Sequence, residues 1–355
     1  MDFEELNASI EGLDEESMEK ARLRLDDIAK PVGSLGILED AVVKLAGLTG
    51  NADVKIDKRA VLVFCADNGV VCQGVSQISS DVTALVAEHI ARGTSSVCMM
   101  ADIAGADVLA VDVGMSAADH IPDMVDRKIA FGTRDMSCEP AMTKEQAIRA
   151  IEVGIDMVRL HQDKGYNLLA LGEMGIGNTT TSSAIAAVLL DRPVREVTGR
   201  GAGLSDAGLK RKVDVIERAV NVNKPDRDDA LDVLAKLGGF DIAALCGTMI
   251  GGAIFRIPIV LDGFISAVSA LVASKLCPKA VNAMLASHVS AEPAAHMILD
   301  FLKLKPVITA EMRLGEGTGA VALLPLLDMA LHMYHDMPTF SEIGMKPYSR
   351  QVTAS

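Results

Sequence analysis

The chain has 355 residues, of which half are apolar and 23% are charged. This composition is typical of globular proteins and excludes disordered and collagen-like chains. The sequence contains 34 basic and 48 acidic residues, which give a net charge of −14. Because a charge of this sign repels phosphate backbones and anionic lipids, we expect no nucleic-acid partner. The length allows about two domains.

The N-terminal residues and the apolar stretches predict a cytoplasmic protein. The chain opens with acidic residues where a secretory signal would carry basic ones. Its apolar stretches are too short or too often interrupted to span a bilayer, so we expect no membrane insertion. The six cysteines form no C-x-x-C pair, which is typical of reduced thiols in the cytosol.

Apolar patterns along the chain predict an α/β fold. Residues 13–30 have the spacing of an amphipathic helix. Continuous apolar runs follow at residues 61–66, 108–111, 168–171 and 257–261, and each run leads into an acid, namely Asp67, Asp112, Glu173 or Asp262. Runs without polar alternation indicate strands of a parallel sheet that is covered on both faces. We therefore predict a parallel, Rossmann-like sheet with helices on both faces.

Helical patterns occupy much of the last third of the chain, at residues 242–255, 264–275 and 320–335. We predict an α/β catalytic domain over residues 46–330 and a small helical lobe built from residues 1–45 and 331–355. Ligands of open parallel sheets bind beyond the carboxyl ends of the strands, so the four acids mark the location of a site. Each acid also has an alternative interpretation as a helix cap or a turn residue.

Several common catalytic patterns are absent from the sequence. The glycine-rich segments 172–178, 199–203 and 315–319 match neither the dinucleotide-binding pattern after a first strand nor the P-loop. The sequence contains no G-x-S-x-G elbow and no H-E-x-x-H spacing. His332 and His335 could bind a metal in principle, but an isolated pair is more often part of a helix surface. We expect no cofactor and no dedicated metal site.

The segment 172–190 has the features of an anion-binding turn. Its closely spaced glycines let backbone amides approach an anion, and residues 178–183 are predicted to supply a cap and hydroxyl donors before a helix over residues 184–190. The hydroxyl-bearing residues 179–183 would add donors, although they are also consistent with an ordinary cap. Lys212 could supply a fixed positive charge, but a solvated helix lysine is the more common interpretation.

Glu316 is the strongest single candidate for catalysis. It stands between Gly315 and Gly317, next to Thr318, where the backbone can approach a ligand closely. A carboxylate in that position can act as a general base, which typically contributes about 10²–10⁴-fold in rate. The alternative interpretation is an acidic loop residue that is exposed to water.

Short segments in a fixed order connect the chain to a known family. These segments are 30–36 (KPVGSLG), 67–70 (DNGV), 132–137 (GTRDMS) with 140–142 (PAM), 172–180 (GEMGIGNTT), 238–241 (GGFD), 262–264 (DGF), 287–292 (SHVSAE) and 313–319 (RLGEGTG). Together they resemble the nicotinate-nucleotide:dimethylbenzimidazole phosphoribosyltransferase family. The resemblance implies transfer of ribose 5-phosphate from nicotinate mononucleotide to an aromatic base that becomes the lower ligand of a cobamide, with release of nicotinate.

The resemblance also implies roles for individual residues. Glu316 matches the catalytic base of the family, and Glu173 matches its second active-site carboxylate. The positions matched to nucleotide binding are Pro31, Gly175, Asn178, Thr179, Gly201, Lys212, Asp241 and Ser290. The leaving group is already a cationic pyridinium, so its departure needs no metal ion. A carboxylate would stabilise the oxocarbenium-like transition state, and attack from the opposite face would give an α-riboside.

One region departs from the family pattern. Where relatives place a Ser and a Gln against the acceptor base, this chain has Ile78 and Val86, and Ser79 and Leu314 complete the predicted acceptor pocket. A less polar pocket would favour a phenol or a cresol while still admitting dimethylbenzimidazole. The alternative is that relatives vary here and that Ser79 or Gln77 substitutes.

The resemblance further implies a dimer, either a homodimer or a heterodimer with a paralogue. A competing function is a non-catalytic, ligand-binding subunit that supports an active paralogue. The presence of both Glu173 and Glu316 argues against such an inactive copy.

Overall fold

A twisted parallel sheet forms the centre of the computed structural model, which describes residues 1–117, 121–346 and 348. Its strands are β1 (Arg59–Ala66), β2 (Asp107–Gly114), β3 (Val125–Asp126), β4 (Leu168–Met174), β5 (Ile259–Leu261) and β6 (Met284–Ala286). The α-helices of the described residues are α1 (Phe3–Ser9), α2 (Glu15–Asp27), α3 (Ile37–Thr49), α4 (Asp81–Ala91), α5 (Ser96–Ala104), α6 (Lys144–Asp163), α7 (Asn178–Leu189), α8 (Val194–Val197), α9 (Asp206–Asn223), α10 (Ala230–Leu237), α11 (Phe240–Phe255), α12 (Phe264–Leu276), α13 (Ala295–Leu302) and α14 (Thr318–Asp336). Short 3₁₀-helices occupy Gly69–Gln73 and Pro278–Ala283.

The strand order is β3-β2-β1-β4-β5-β6, and the paired strands are parallel. The chain therefore builds outward from β1 in one direction and then returns to build outward from β4 in the other. In such a doubly wound sheet, the loops on either side of the reversal separate and leave a crevice at the carboxyl ends of the central strands. The predicted parallel α/β sheet is confirmed.

The side chains of β1 alternate between two cores because successive residues of a strand point to opposite faces. Leu62 and Phe64 belong to a core shared with α6, α11 and α12, whereas Val61 and Val63 belong to a core shared with α3, α5 and α14. Every residue of β1 is buried. This burial on both faces explains why the strand shows no polar alternation in the sequence.

The two ends of the described chain contact each other. The Arg24 guanidinium donates hydrogen bonds to the backbone carbonyls of Tyr334, His335 and Met337, and a bridge joins Ile28 to Thr339. The predicted boundary between residues 45 and 46 falls inside α3. Residues 347 and 349–355 of the predicted lobe lie outside the described residues, and the division into a catalytic domain and a lobe stays a prediction. Among the described helices, none is long and apolar enough to cross a membrane.

Candidate active site

A cavity of about 320 Å³ opens beyond the carboxyl ends of β4 and β5, next to the reversal of the strand order. Ser96 and parts of the segments 75–86, 173–179, 200–204, 262–265, 288–292 and 312–318 line it. Loops that are far apart in the sequence therefore meet here because parallel strands deliver them to one edge of the sheet.

Glu316 lines this cavity on a tight turn that leads into α14. Gly315 and Gly317 flank it with φ angles of 89° and 94°, and Glu316 itself has a left-handed φ of 61°. The backbone N–H of Val97, in the first turn of α5, donates to Glu316 Oε2 at 3.3 Å. An amide at a helix N-terminus stabilises negative charge on the carboxylate.

Glu173, near the end of β4, faces the same cavity and is only 9% exposed. The Asn178 side chain donates to Glu173 Oε2, and it also donates to Asp241 Oδ2 at 3.0 Å. Burial raises the pKa of Glu173 to about 8, and the charge of Asp241 adds to this effect. Burial also raises the pKa of Asp241 to about 6. Glu173 is therefore mainly protonated at neutral pH, and a cation bound beside it would favour its ionised form.

Helix α7 begins differently from the prediction. Gly177, with a φ of 93°, is the N-cap, and no side chain caps the helix. Asn178 is the first helical residue, and its side chain binds the two carboxylates instead of a backbone amide. The predicted cap before a helix over residues 184–190 is therefore wrong, because residues 178–183 already form the first turns of α7. The hydroxyls of Thr180 and Ser182 are buried inside the protein and are not donors to the cavity.

Lys212 has no exposed surface, so the solvated interpretation is wrong. Its Nζ donates to Thr179 Oγ1 at 2.9 Å and to the Gly199 carbonyl at 3.1 Å. Burial lowers its pKa to about 8, while the charge of Glu292 acts in the opposite direction. Thr179 and Gly201 line the cavity, and Lys212 lies directly behind them.

The remaining predicted residues divide into three groups. Gly175 and Ser290 line the cavity, and so do Ile78, Val86 and Leu314. Asp241 is fully buried behind Asn178. Ser79 lines a neighbouring recess together with Asp67 and Asn68, and Pro31 is an exposed loop residue away from the lining of the cavity.

Sequence reasoning missed several ionisable groups of the cavity. Arg200, His288, Glu292 and Arg313 line it, and Glu292 Oε1 accepts a hydrogen bond from the Gly201 N–H at 2.9 Å. Three of these residues lie in segments 287–292 and 313–319, which carry the family resemblance. The sequence therefore pointed to these residues but gave them no role. In the part of the chain that the structure describes, no group of three or more His, Cys, Asp or Glu side chains is arranged to hold a metal ion.

The doubly wound sheet and its carboxylate-lined cavity define an α/β enzyme of small molecules. A sequence model of a family described as phosphoribosyltransferase matches residues 10–345. The chain is 46% identical over 344 residues to the nicotinate-nucleotide–dimethylbenzimidazole phosphoribosyltransferase of Acetivibrio thermocellus, covering 97% of this chain and 98% of that protein. The enzyme of the same name from Chloroflexus aggregans is 47% identical over 335 residues, covering 94% of this chain and 95% of that protein.

The solved structures agree with the sequence comparisons. The crystal structure of CobT from Thermus thermophilus matches with a TM-score of 0.88 and 38% identity, covering 93% of this chain and 99% of that one. The chain belongs to the nicotinate-nucleotide–dimethylbenzimidazole phosphoribosyltransferase family, and it is a phosphoribosyltransferase. The resemblance found in the sequence is confirmed.

Proposed function

We propose that this enzyme transfers ribose 5-phosphate from nicotinate mononucleotide to 5,6-dimethylbenzimidazole, giving nicotinate and an α-ribotide for cobamide assembly. The observation that carries the proposal is the meeting of Glu316 and Glu173 in one cavity of a chain from this family. The two carboxylates are close enough that the charge of Glu316 contributes to the raised pKa of Glu173.

The reaction releases a proton from the acceptor and develops positive charge on the ribose, and one carboxylate can serve each of these. The bond between ribose C1′ and the pyridinium nitrogen breaks, and its electron pair leaves with nicotinate. The unprotonated ring nitrogen of the acceptor attacks C1′ from the opposite face, and the N–H proton of its other ring nitrogen passes to Glu316. The charge of the bound pyridinium favours the form of the enzyme in which Glu173 has released its proton to solvent, and that carboxylate stabilises the positive charge that develops on the ribose.

The phosphate is assigned to the wall formed by Thr179, Gly201 and Ser290. Thr179 and Ser290 offer hydroxyl donors, and the start of α7 adds the favourable end of a helix dipole. Lys212 contacts this wall from behind and supplies positive charge in a region from which water is excluded. A buried ammonium acts more strongly on an anion than a solvated one.

The acceptor is assigned to the wall that carries Ile78 and Val86. The cavity lining beside them consists of the aliphatic Val75 and Val82 and the polar Ser76 and Gln77, so this wall is partly aliphatic. An aliphatic wall suits the methyl groups of dimethylbenzimidazole, and it equally suits phenol or p-cresol. We therefore propose these phenols as further acceptors.

Chromatography of products tests the proposal directly. The enzyme is incubated with nicotinate mononucleotide and dimethylbenzimidazole, adenine, phenol or p-cresol, with EDTA present. We expect nicotinate release that equals the formation of an α-ribotide with dimethylbenzimidazole. The absence of turnover with every acceptor would contradict the proposal and favour a ligand-binding subunit that requires a paralogue.

The variant Glu316→Gln tests whether Glu316 is the catalytic base. The amide cannot accept the proton, so kcat should fall about 10²–10⁴-fold while nicotinate mononucleotide still binds. Glu311→Gln is the control, because Glu311 is exposed in the same loop and does not line the cavity. A Glu316→Gln variant with the wild-type kcat would remove Glu316 as the base.

A further inference from the structure

The turn that carries Glu316 is strained. Gly315, Glu316 and Gly317 have consecutive φ angles of 89°, 61° and 94°. Glycine adopts such values readily, but a residue with a side chain rarely does. A non-glycine residue in this region persists only where its surroundings hold it there. The surroundings of Glu316 therefore determine where its carboxylate points.

Asp262 holds this turn through three backbone amides. Its Oδ2 accepts from the Gly317 N–H at 3.2 Å, and its Oδ1 accepts from Gly319 at 2.7 Å and from Ala320 at 3.2 Å. The first amides of a helix have no partner within the helix, and Gly317 has no side chain to cap α14. Asp262 caps α14 from a different part of the chain.

Asp262 is itself fixed by the sheet. It directly follows β5, is 6% exposed, and its carbonyl accepts from Ser287 Oγ at 3.2 Å. On the neighbouring strand β4, a Cβ placed on Gly172 would lie 2.3 Å from the Glu316 carbonyl oxygen. The turn is therefore held between the backbone of β4 and the Asp262 carboxylate.

We propose that Asp262 is a positioning residue that sets the direction of the Glu316 carboxylate in the cavity. The inference rests on the proposed function, in which Glu316 accepts the acceptor's proton. Asp262 uses both oxygens to hold backbone amides, so it serves the reaction through Glu316 and not as a second base.

Asp262→Asn tests this role with little change in size. The amide group replaces one acceptor oxygen by a donor, which then faces a backbone N–H and cannot bind it. Displacement of a reacting group by about 1 Å can lower a rate about 10²-fold, so we expect a fall of about that size in kcat. The KM for nicotinate mononucleotide should change less than kcat, because the side-chain oxygens of Asp262 bind the amides of Gly317, Gly319 and Ala320 and not the residues assigned to the phosphate.

A double variant distinguishes positioning from general damage. In the Glu316→Gln background, Asp262→Asn should lower the residual rate little further, because the group that it positions is already inactive. Asp14→Asn is the control: Asp14 caps α2, where its Oδ1 accepts from the Ser17 N–H at 2.7 Å, and it lies outside the cavity lining. This variant should keep the wild-type kcat.

Each outcome decides the inference. Wild-type kcat in Asp262→Asn, or an equal fall in both backgrounds, overturns it while the proposed function stands. If the wild-type enzyme releases no nicotinate, the proposed function fails and the inference fails with it. Should thermal unfolding show that Asp262→Asn does not fold, Asp262→Glu replaces it. That variant keeps the charge but displaces the turn by one methylene, and the same fall in kcat is expected.

Discussion

Lys212 shows how a single residue can couple binding to pH. Its ammonium is fully buried, and burial lowers its pKa to about 8 from 10.5. A lysine with a lowered pKa is charged below that value and neutral above it. If the ammonium attracts the phosphate of nicotinate mononucleotide, substrate capture should weaken as the pH rises through about 8. Burial of Lys212 thus places the loss of its charge near physiological pH.

Lys212→Met should raise the KM for nicotinate mononucleotide about 10-fold or more and change kcat less, because it removes the buried charge. The fall in kcat/KM of the wild type above pH 8 should be absent from the variant. This comparison distinguishes the titration of Lys212 from that of Glu173, because both groups have a pKa of about 8. Lys210→Met is the matched control, since Lys210 is exposed on the same helix. An unchanged KM in Lys212→Met would return Lys212 to a structural role.

Some of these residues could be predicted from the sequence and others could not. Glu316 was identifiable because a carboxylate between two glycines has no evident structural purpose. The helical pattern alone favoured a solvated Lys212, because the pattern is the same whether the lysine is solvated or buried, and only the family resemblance matched it to nucleotide binding. Arg200 and His288 enter the cavity from loops, and only the tertiary fold brings such loops together.

At the scale of elements, α4 and the segment before it form the wall that we propose for the acceptor. Ile78 and Val86 both line the cavity, next to the polar side chains of Ser76 and Gln77. An acceptor nitrogen that faces Ile78 or Val86 finds no hydrogen-bond partner on these two aliphatic side chains. A phenol or cresol ring offers fewer polar atoms and loses less against an aliphatic surface.

Ile78→Ser combined with Val86→Gln should shift the acceptor preference toward dimethylbenzimidazole by about 10-fold relative to p-cresol, since the wall then offers hydrogen-bond partners. Competition assays with both acceptors in one reaction measure this ratio. Leu85→Gln is the control, because Leu85 is 54% exposed on the same helix and does not line the cavity. A wild-type enzyme that already rejects phenol and p-cresol strongly would contradict the phenol hypothesis.

Strands within continuous apolar runs followed from the sequence, and the others did not. The strands β1 and β4 were predicted because they contain eight and six buried residues, and the three-residue β5 was predicted because it lies within the run 257–261. The two residues of β3 and the three of β6 are too few to give a pattern. Asp112 was expected after a strand, but it lies inside β2. Its side chain accepts from the Gly114 and Met115 amides, so the alternative interpretation as a turn residue applies to it.

At the scale of the whole molecule, exposed apolar side chains on the adjoining helices α5 and α14 lead us to propose a dimer. Met99 and Ile103 are 56% and 86% exposed on α5, and Met329 is 61% exposed on α14. Exposed apolar side chains on neighbouring helices are typical of surfaces that a second subunit covers. Since α5 also supplies the amide that contacts Glu316, such a contact would adjoin the cavity.

Native mass spectrometry should therefore give twice the mass of the 37.4 kDa chain. Ile103→Glu should shift the protein to the mass of one chain without unfolding it, because the residue is exposed and the charge resists burial. Leu23→Glu is the control, since Leu23 is also exposed, at 60%, but lies on α2. A single-chain mass for the wild-type protein would exclude the homodimer.

The position of Glu316 near the end of the chain has a consequence for synthesis on the ribosome. The strands are complete at Ala286, and the loops assigned to the nucleotide end at Ser290. Protein synthesis proceeds from the N-terminus, and early segments fold as they emerge. With the proposed roles, a nascent chain that has reached only this length has the nucleotide-binding loops but not the base. We therefore expect turnover only after the turn before α14 has been translated and has docked on Asp262.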